Sequence, residues 1–543
     1  MAKKYHQPPE PLTPAAVSTA NRWIHFGLIV GSALLLRAPI AHIPLDRDEG
    51  EYAYIAQRRL VGEIPYKTSF DQKPPGTFVM YELIERYVGT SPAAIHWATQ
   101  IYTLGTLILV FLLGEKLFSG FTGALAAVLL ALMMADPSVV GNSSNTETFM
   151  ILPLTGALYA TVLAVESASA AWGFTAGLLL GVSCLFKQVA MVNGGFILIY
   201  LALRAPRRIP LMLSAAAGTG AVLLAAAGYF LRVGAWKEFY DCVIGYNLSY
   251  SGSVPWASYP ENCWRVFYPQ LQSFWPVYGL AASGIISGLR RRRSFRIFSC
   301  WLLFSLGGIV IGGYFRGHYF IQILPVIALL AAGQLVLWTG RLRPRYSVVL
   351  SSAITGLIIA FAVWRGFWYY GPAGPDQKAR KIYGKNPFVE SPAVGRYISD
   401  HSAPTDQVFI FGSEPQILYD ADRPSASRYI FIYPLMAASE DSSERQRQVQ
   451  LDLINHQPRF IVTVFIPTSF GISKGVMPPV FGNLHNLLRS SYELAAVVPD
   501  QPSGPVQMIE GRTAREMWNR KPFWYSGRPW CTLAIWQRKE SAP

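Results

Sequence analysis

The chain reads as long apolar runs separated by short polar connections, up to a point about two thirds of the way along it. The runs are about 17–25 residues long, the length that crosses a hydrocarbon core of roughly 30 Å. About eleven can be placed: Trp23–Ile43, Ala94–Leu113, Gly120–Ala135, Thr148–Val165, Ala171–Phe186, Val189–Leu203, Leu211–Leu231, Leu271–Leu289, Phe298–Gly313, Tyr319–Trp338 and Ser347–Phe367. The pattern predicts an α-helical polytopic membrane protein. The first run lacks a small-residue cleavage pattern after a short apolar core, so it reads as an uncleaved anchor. From Trp368 the long runs stop. Short strand-like runs, Gln407–Phe411 and Phe460–Phe465, then flank a helix-like segment, Ser443–Asn455. That change of period predicts a small α/β domain. The expected organisation is a tail over 1–22, a transmembrane domain over 23–368 with a large first outer loop at 44–92, and an extracytoplasmic domain over 369–543.

Composition supports the pattern. Of 543 residues, 51% are apolar and 15% charged, where soluble domains carry about 25% charged residues. The net charge of +15 admits nucleic acid as a partner in principle, but its placement excludes that reading. Fifteen basic residues and three acids fall on the expected inner side, in the tail, at Lys116, at Arg204–Arg208, at Arg290–Arg296 and at Arg341–Arg345. The first outer segment, Arg37 to Ala93, has seven basic residues and eight acidic ones. This asymmetry predicts a cytoplasmic N-terminus and an extracytoplasmic C-terminal domain in a plasma (inner) membrane. Of the five cysteines, Cys184 and Cys300 lie in apolar runs. Cys242 and Cys263 share one outer loop, where a disulfide could persist. No His/Cys metal spacing occurs.

The outer loop carries the chemistry. Asp46, Asp48, Glu49 and Glu51 place four carboxylates within six residues just past a span. Like charges so close need water, cations, a basic ligand or protonation to offset them, although acids also suit a helix N-terminus. Tyr52, Ile55, Ala56 and Leu60 then recur at helical spacing, predicting a short amphipathic helix on the membrane surface. Further on, Lys73 precedes Pro74 and Pro75, which stiffen the backbone. A lysine held there can meet a phosphate as a point charge, or simply close a turn before a helix at Thr77–Tyr87.

The Asp48-Glu49 dyad after the first span, the Gln72-Lys73-Pro74-Pro75 segment and the multi-span layout resemble membrane glycosyltransferases of the GT-C fold. The resemblance is nearest to the dolichyl-phosphate-mannose protein mannosyltransferase superfamily, a group that includes bacterial lipid A aminoarabinose transferases. It covers roughly Arg37 to Trp338 and is strongest at Leu45–Gly76. It implies a polyprenyl-phosphate sugar donor, inverting transfer outside the cytoplasm, Asp48 and Glu49 as the catalytic acids, and Lys73 as a donor-phosphate ligand. The acceptor class stays open between lipid, protein and polysaccharide.

Other outer-side residues have two readings each. Glu147 is a second acid of the site or an ordinary helix N-terminal acid. Arg316 and His318 bind the donor phosphate or anchor a span end at the interface. Lys187 faces a cavity or snorkels. Asp48, Glu49 and Glu147 could together hold a divalent cation, which carboxylates alone do not establish. Two other functions fit a chain of this layout: a transporter or flippase of polyprenyl-linked glycan, and a non-catalytic envelope assembly subunit. A transporter calls for ionisable residues in mid-span, whereas here they gather at outer span ends.

Overall fold

The computed structural model describes residues 19–252, 254–290, 293–436, 440–471, 480–501, 504–520 and 530–540. Lys3 and Lys4 of the tail and Arg291 and Arg292 of the basic loop lie outside the described residues. The membrane part contains α1 (Thr19–Arg37), α2 (Arg47–Leu60), α3 (Gly76–Tyr87), α4 (Pro92–Leu117), α5 (Gly120–Met134), α6 (Thr146–Ser167), α7 (Ala170–Phe186), α8 (Met191–Arg204) and α9 (Arg208–Arg232). After two short helices, α10 (Trp236–Tyr240) and α11 (Tyr246–Ser251), come α12 (Tyr259–Leu289), α13 (Arg293–Val310), α14 (Leu324–Thr339) and α15 (Pro344–Arg365). Each of the eleven apolar runs coincides with a helix. Among the described residues, seven helices are long and apolar enough to cross a membrane, while α5, α7 and α8 are shorter apolar helices. The protein is thus a multi-pass membrane protein. Helix α12 contains Pro269 and Pro276 and leaves helical geometry at Phe274 (φ −128°, ψ 23°), as expected where proline removes a backbone donor and crowds the preceding turn.

Helices α6 and α14 form the centre of the bundle. Both are largely buried, and both are apolar on all sides, as a helix ringed by others should be. In α7 and α9 small residues do the packing. A Cβ on Gly177 would strike the Ala215 carbonyl, and one on Gly218 the Phe174 carbonyl. Such close backbone approach replaces the hydrophobic drive that lipid does not supply between helices.

The C-terminal part holds five strands: β1 (Val408–Phe411), β2 (Phe460–Val464), β3 (Tyr492–Pro499), β4 (Ile509–Glu510) and β5 (Cys531–Arg538), in the order β1-β2-β5-β3-β4. Strands β1 and β2 pair in parallel and the other pairs are antiparallel. The two strands expected from sequence are the parallel pair. They are buried along their whole length and so read as unbroken apolar runs. A helix at Glu440–His456 lies between them in the chain, as expected. The sheet does not stand apart from the bundle. One continuous apolar core extends from Ile29 of α1 through α2 and α14 to Ile535 of β5.

Two expectations need correction. Helix α2 does not lie on a lipid surface. It begins at Arg47, ahead of the apolar positions from Tyr52 that predicted it, and Glu49 through Ala56 are all buried, because the C-terminal part covers the side that would have met the headgroups. Cys242 and Cys263 are both free thiols. Cys242 is buried against the Arg428 guanidinium, 3.2 Å from its Sγ, a position fixed by the covering domain that loop spacing alone does not reveal.

Candidate active site

Helix α2 places the acids. Asp46 is its N-cap: the Asp46 side chain accepts from the Glu49 N–H (3.0 Å) and the Glu49 carboxylate accepts from the Asp46 N–H (3.3 Å). This reciprocal capping box starts the helix at Arg47, puts Asp48 in its first turn, and sends successive side chains in different directions. Glu49 points into the bundle. It is fully buried, and its Oε1 accepts from the Ser144 N–H (2.6 Å) and lies 2.9 Å from His96 Nε2, while His96 Nδ1 donates to the Ala41 carbonyl (2.8 Å). Arg47 points into the C-terminal part. It donates to the Ser413 carbonyl, the Tyr433 hydroxyl (2.7 Å), Asn386 Oδ1 (3.2 Å) and Glu414 Oε1 (2.6 Å). Gly50 lies flat against Gln416, where any Cβ would collide with that residue's backbone and Cβ. Asp48 takes the remaining direction. It is half-buried, and its carboxylate has no hydrogen bond or ion pair at bonding distance among the described residues.

Lys73 reaches the same place from the loop before α3. Its backbone is fixed on both sides: its N–H donates to Asp71 Oδ1 (2.8 Å) and its carbonyl accepts from the Tyr66 hydroxyl (2.7 Å). The preceding Gln72 carbonyl accepts from Asn247 (2.7 Å) and Gln188 (3.3 Å). Pro74 and Pro75 follow, and Pro75 caps α3. The ammonium lies 6.0 Å from the centre of the Tyr52 ring and, like Asp48, makes no ion pair at bonding distance among the described residues. Burial would lower its pKa, but Asp71, Asp48 and Glu51 overcome this and hold it above the ordinary lysine value. Lys73 therefore stays charged throughout the neutral range.

The remaining residues of interest surround this pair. Glu147, at the start of α6, is ion-paired with Lys187 and accepts from Thr146 Oγ1 (2.8 Å). The Lys187 ammonium also stands 3.5 Å from the centre of the Tyr319 ring. Lys187 thus turns inward to Glu147, and Glu147 is more than an isolated helix N-terminal acid. His318 is within electrostatic reach of Glu147, Asp48, Lys187 and Lys73. Arg316 is exposed, packs 5.9 Å from the Tyr314 ring centre and has Asp48 and Tyr433 among its charged and polar neighbours.

Asp48, Lys73, Glu147, His318 and Arg316 are brought together, and Glu49 is turned away. The three carboxylates weighed as cation ligands do not converge: Glu49 faces Ser144 and His96, and Glu147 faces Lys187. Among the described residues no group of three His, Cys, Asp or Glu side chains could hold a metal ion.

Three neighbours receive no definite role from sequence alone. Glu51 and Asp71 are buried beside Lys73, and Lys187 closes an ion pair across helices. Spacing held a clue to the first two, since Glu51 is one helical turn from Asp48 and Asp71 two residues from Lys73. Arg47 was hidden among acids, and its partners lie more than 300 residues away.

Residues 72–230 match the model of the dolichyl-phosphate-mannose-protein mannosyltransferase family. That match takes in Lys73, Glu147 and Lys187, and only the end of the Leu45–Gly76 segment on which the resemblance is strongest. No curated protein matches the chain in sequence. Solved structures match over almost its whole length. ArnT from Cupriavidus metallidurans bound to undecaprenyl phosphate is 13% identical with a TM-score of 0.59, covering 96% of this chain and 98% of that one. The archaeal oligosaccharyltransferase AglB from Archaeoglobus fulgidus, in complex with an inhibitory peptide and a dolichol-phosphate, is 13% identical with a TM-score of 0.51, covering 96% and 89%. At such identities the likeness is one of architecture, and with the eleven apolar helices and the C-terminal sheet it shows that this chain has the GT-C fold.

Proposed function

We propose that the protein is an inverting membrane glycosyltransferase that moves a sugar from a polyprenyl-phosphate donor to an acceptor hydroxyl on the extracytoplasmic side of a plasma membrane. One observation carries the reading: a carboxylate, Asp48, and an ammonium, Lys73, lie within electrostatic reach of each other on the outer loop, and neither is engaged in an ion pair at bonding distance among the described residues. In glycosyl transfer the anomeric carbon becomes cationic as the phosphate oxygen leaves. The acceptor needs a base and the leaving phosphate needs positive charge. Asp48 takes the acceptor proton as the new C–O bond forms, and Lys73, aided by Arg316, neutralises the departing phosphate. Glu49 supports this chemistry from behind by fixing the first turn of α2 against Ser144 and His96.

The family match and the lipid phosphates bound by ArnT and AglB support a polyprenyl-phosphate donor. The orientation rests on charge. Arg22 pairs with Glu115, and Lys116 with Glu166, at the ends of α1, α4 and α6 remote from the acidic loop, in keeping with a cytoplasmic basic face. The test is transfer by purified protein from a labelled polyprenyl-phosphate sugar to envelope extracts. Release of lipid phosphate with inversion of the sugar is expected. Binding of the donor without any turnover on every acceptor fraction would overturn the enzyme in favour of a carrier.

A further inference from the structure

Beside Lys73 lies a carboxyl pair that the mechanism above does not use. Glu51, one turn along α2 from Asp48, and Asp71, two residues before Lys73, are 5% and 0% exposed. Their side chains meet as hydrogen-bonding partners. Yet Glu51 Oε1 and Asp71 Oδ2 are both buried without any donor among the described residues. Two ionised carboxylates are acceptors only. Buried face to face, they are held together only if one of them carries a proton. The other oxygen of Asp71 accepts the Lys73 backbone N–H (2.8 Å), so the pair is joined directly to the lysine.

Charge accounting shows what this does. Asp48, Glu51 and Asp71 surround the one ammonium of Lys73. With all three acids ionised, an incoming phosphate meets a net charge of about −2; with one proton shared, about −1, and the outer face of Lys73 is left to the ligand. We infer that Glu51 and Asp71 form a one-proton carboxyl pair that positions Lys73 and keeps its cradle receptive to a lipid phosphate. The inference rests on the donor reading above. Glu51 and Asp71 are positioning residues, since they act through Lys73.

The charged and titratable groups around the pair are Asp48 and Tyr52 on α2, Tyr66 and Lys73 on the loop, and Cys242 and Tyr246 on the segment after α10. Burial pushes Asp71 up to about 6 and Glu51 well above the ordinary glutamate value. Burial pushes Cys242 and Tyr246 up to about 12 and raises the other two tyrosines well above the ordinary tyrosine value, and Lys73 is held above its usual value. The pair titrates as a unit, and because burial raises both of its acids it keeps a proton to higher pH than an ordinary carboxyl does.

The experiment measures binding of a polyprenyl monophosphate to detergent-purified protein between about pH 7.5 and 9.5, where the phosphate, with its second pKa near 6, is already dianionic. Wild type should lose about tenfold in affinity across this window as the cradle gains one negative charge. Glu51→Gln keeps a donor toward Asp71 without a titrating proton, and its affinity should stay flat. A second arm needs no ligand. Infrared spectra at about pH 7, below this window, should show a protonated-carboxyl C=O band in wild type that disappears in both Glu51→Gln and Asp71→Asn. An undiminished band in both variants, or an undiminished pH-dependent fall in Glu51→Gln, would overturn the pair. If polyprenyl phosphate fails to bind wild type at any pH, the donor reading falls together with the effect on the cradle, and the infrared band still decides whether the proton is shared.

Discussion

Two sets of one carboxylate and one lysine stand around His318 and Tyr319, and they are in opposite states. Glu147 and Lys187 are closed on each other, and Lys187 is further covered by the Tyr319 ring. Asp48 and Lys73 sense each other electrostatically yet form no ion pair. The difference lies in what holds each residue. Glu147 and Lys187 project from facing helix ends with nothing to keep them apart. Asp48 is fixed by the capping box of α2, and Lys73 by Asp71, Tyr66 and the two prolines behind it. Keeping two opposite charges unpaired requires such backbone restraint, and groups preorganised in this way are available to a substrate without first being released. On the function proposed above, the closed pair is structural and the open one is the working part.

The largest effect should come from the open carboxylate. Asp48→Asn preserves shape and removes the proton acceptor, and general-base catalysis contributes about 10²–10⁴-fold. Turnover should fall by that factor while lipid-phosphate binding is kept. Near-normal transfer would move the base elsewhere and erase the distinction between the two sets. The closed pair should respond in stability instead. Lys187→Met leaves Glu147 buried without its partner, which costs about 3–5 kcal/mol, so the thermal midpoint in detergent should drop sharply. The double change Glu147→Gln with Lys187→Met should recover most of it. A single change that spares the melt and abolishes donor binding would show that Lys187, too, belongs to the working part.

The sequence carries some of this contrast and conceals the rest. Helices such as α6 and α14 are visible because a helix ringed by other helices within a bilayer must be apolar on every side, over the whole length of a span. Strands β1 and β2 are visible for the same reason on a shorter scale. Strands β3, β4 and β5 are antiparallel, partly covered and interrupted by bulges at Leu494–Ala496 and Val498–Pro499, so their period is broken. Within the site, Asp48 and Lys73 stand out because each lies in an unusual local string. The different fates of the adjacent Asp48 and Glu49 do not show, because they follow from the direction of a helix turn whose start is set by the Asp46 cap. The partners of Arg47 lie in a domain remote in sequence, so no local pattern distinguishes that arginine from a solvated one. Gly50 is similar: its need for a bare Cα comes entirely from Gln416.

A moderate effect is expected at the open lysine. Hydrogen bonds to charged groups contribute about 1.5–3 kcal/mol, so Lys73→Ala should weaken lipid-phosphate binding by roughly 10- to 100-fold, with little change in the melt. Calorimetric titration with a polyprenyl phosphate measures it. A collapse of stability without specific loss of affinity would make Lys73 a structural cation like Lys187.

The smallest effect concerns the cap that separates the two acids. Burial, reinforced by Glu49 and Asp48, pushes Asp46 up to about 7 from an ordinary aspartate value of 3.8. Its protonated form is favoured in the folded protein, which therefore holds more protons than the unfolded chain between those two values. The sign follows from linkage: this contribution to stability is fully present below the unfolded pKa and is lost as pH rises through about 7. Asp46→Asn keeps an oxygen that accepts from the Glu49 N–H, so the capping box survives, while the titration is removed. Thermal midpoints measured from about pH 5 to 8 should fall less steeply with rising pH in Asp46→Asn than in wild type. The difference between the two slopes isolates Asp46 from the ion-paired acids, whose contributions run the other way. An identical slope in both proteins would mean that Asp46 is ionised in its cap, so that burial is offset there by the Glu49 N–H it accepts.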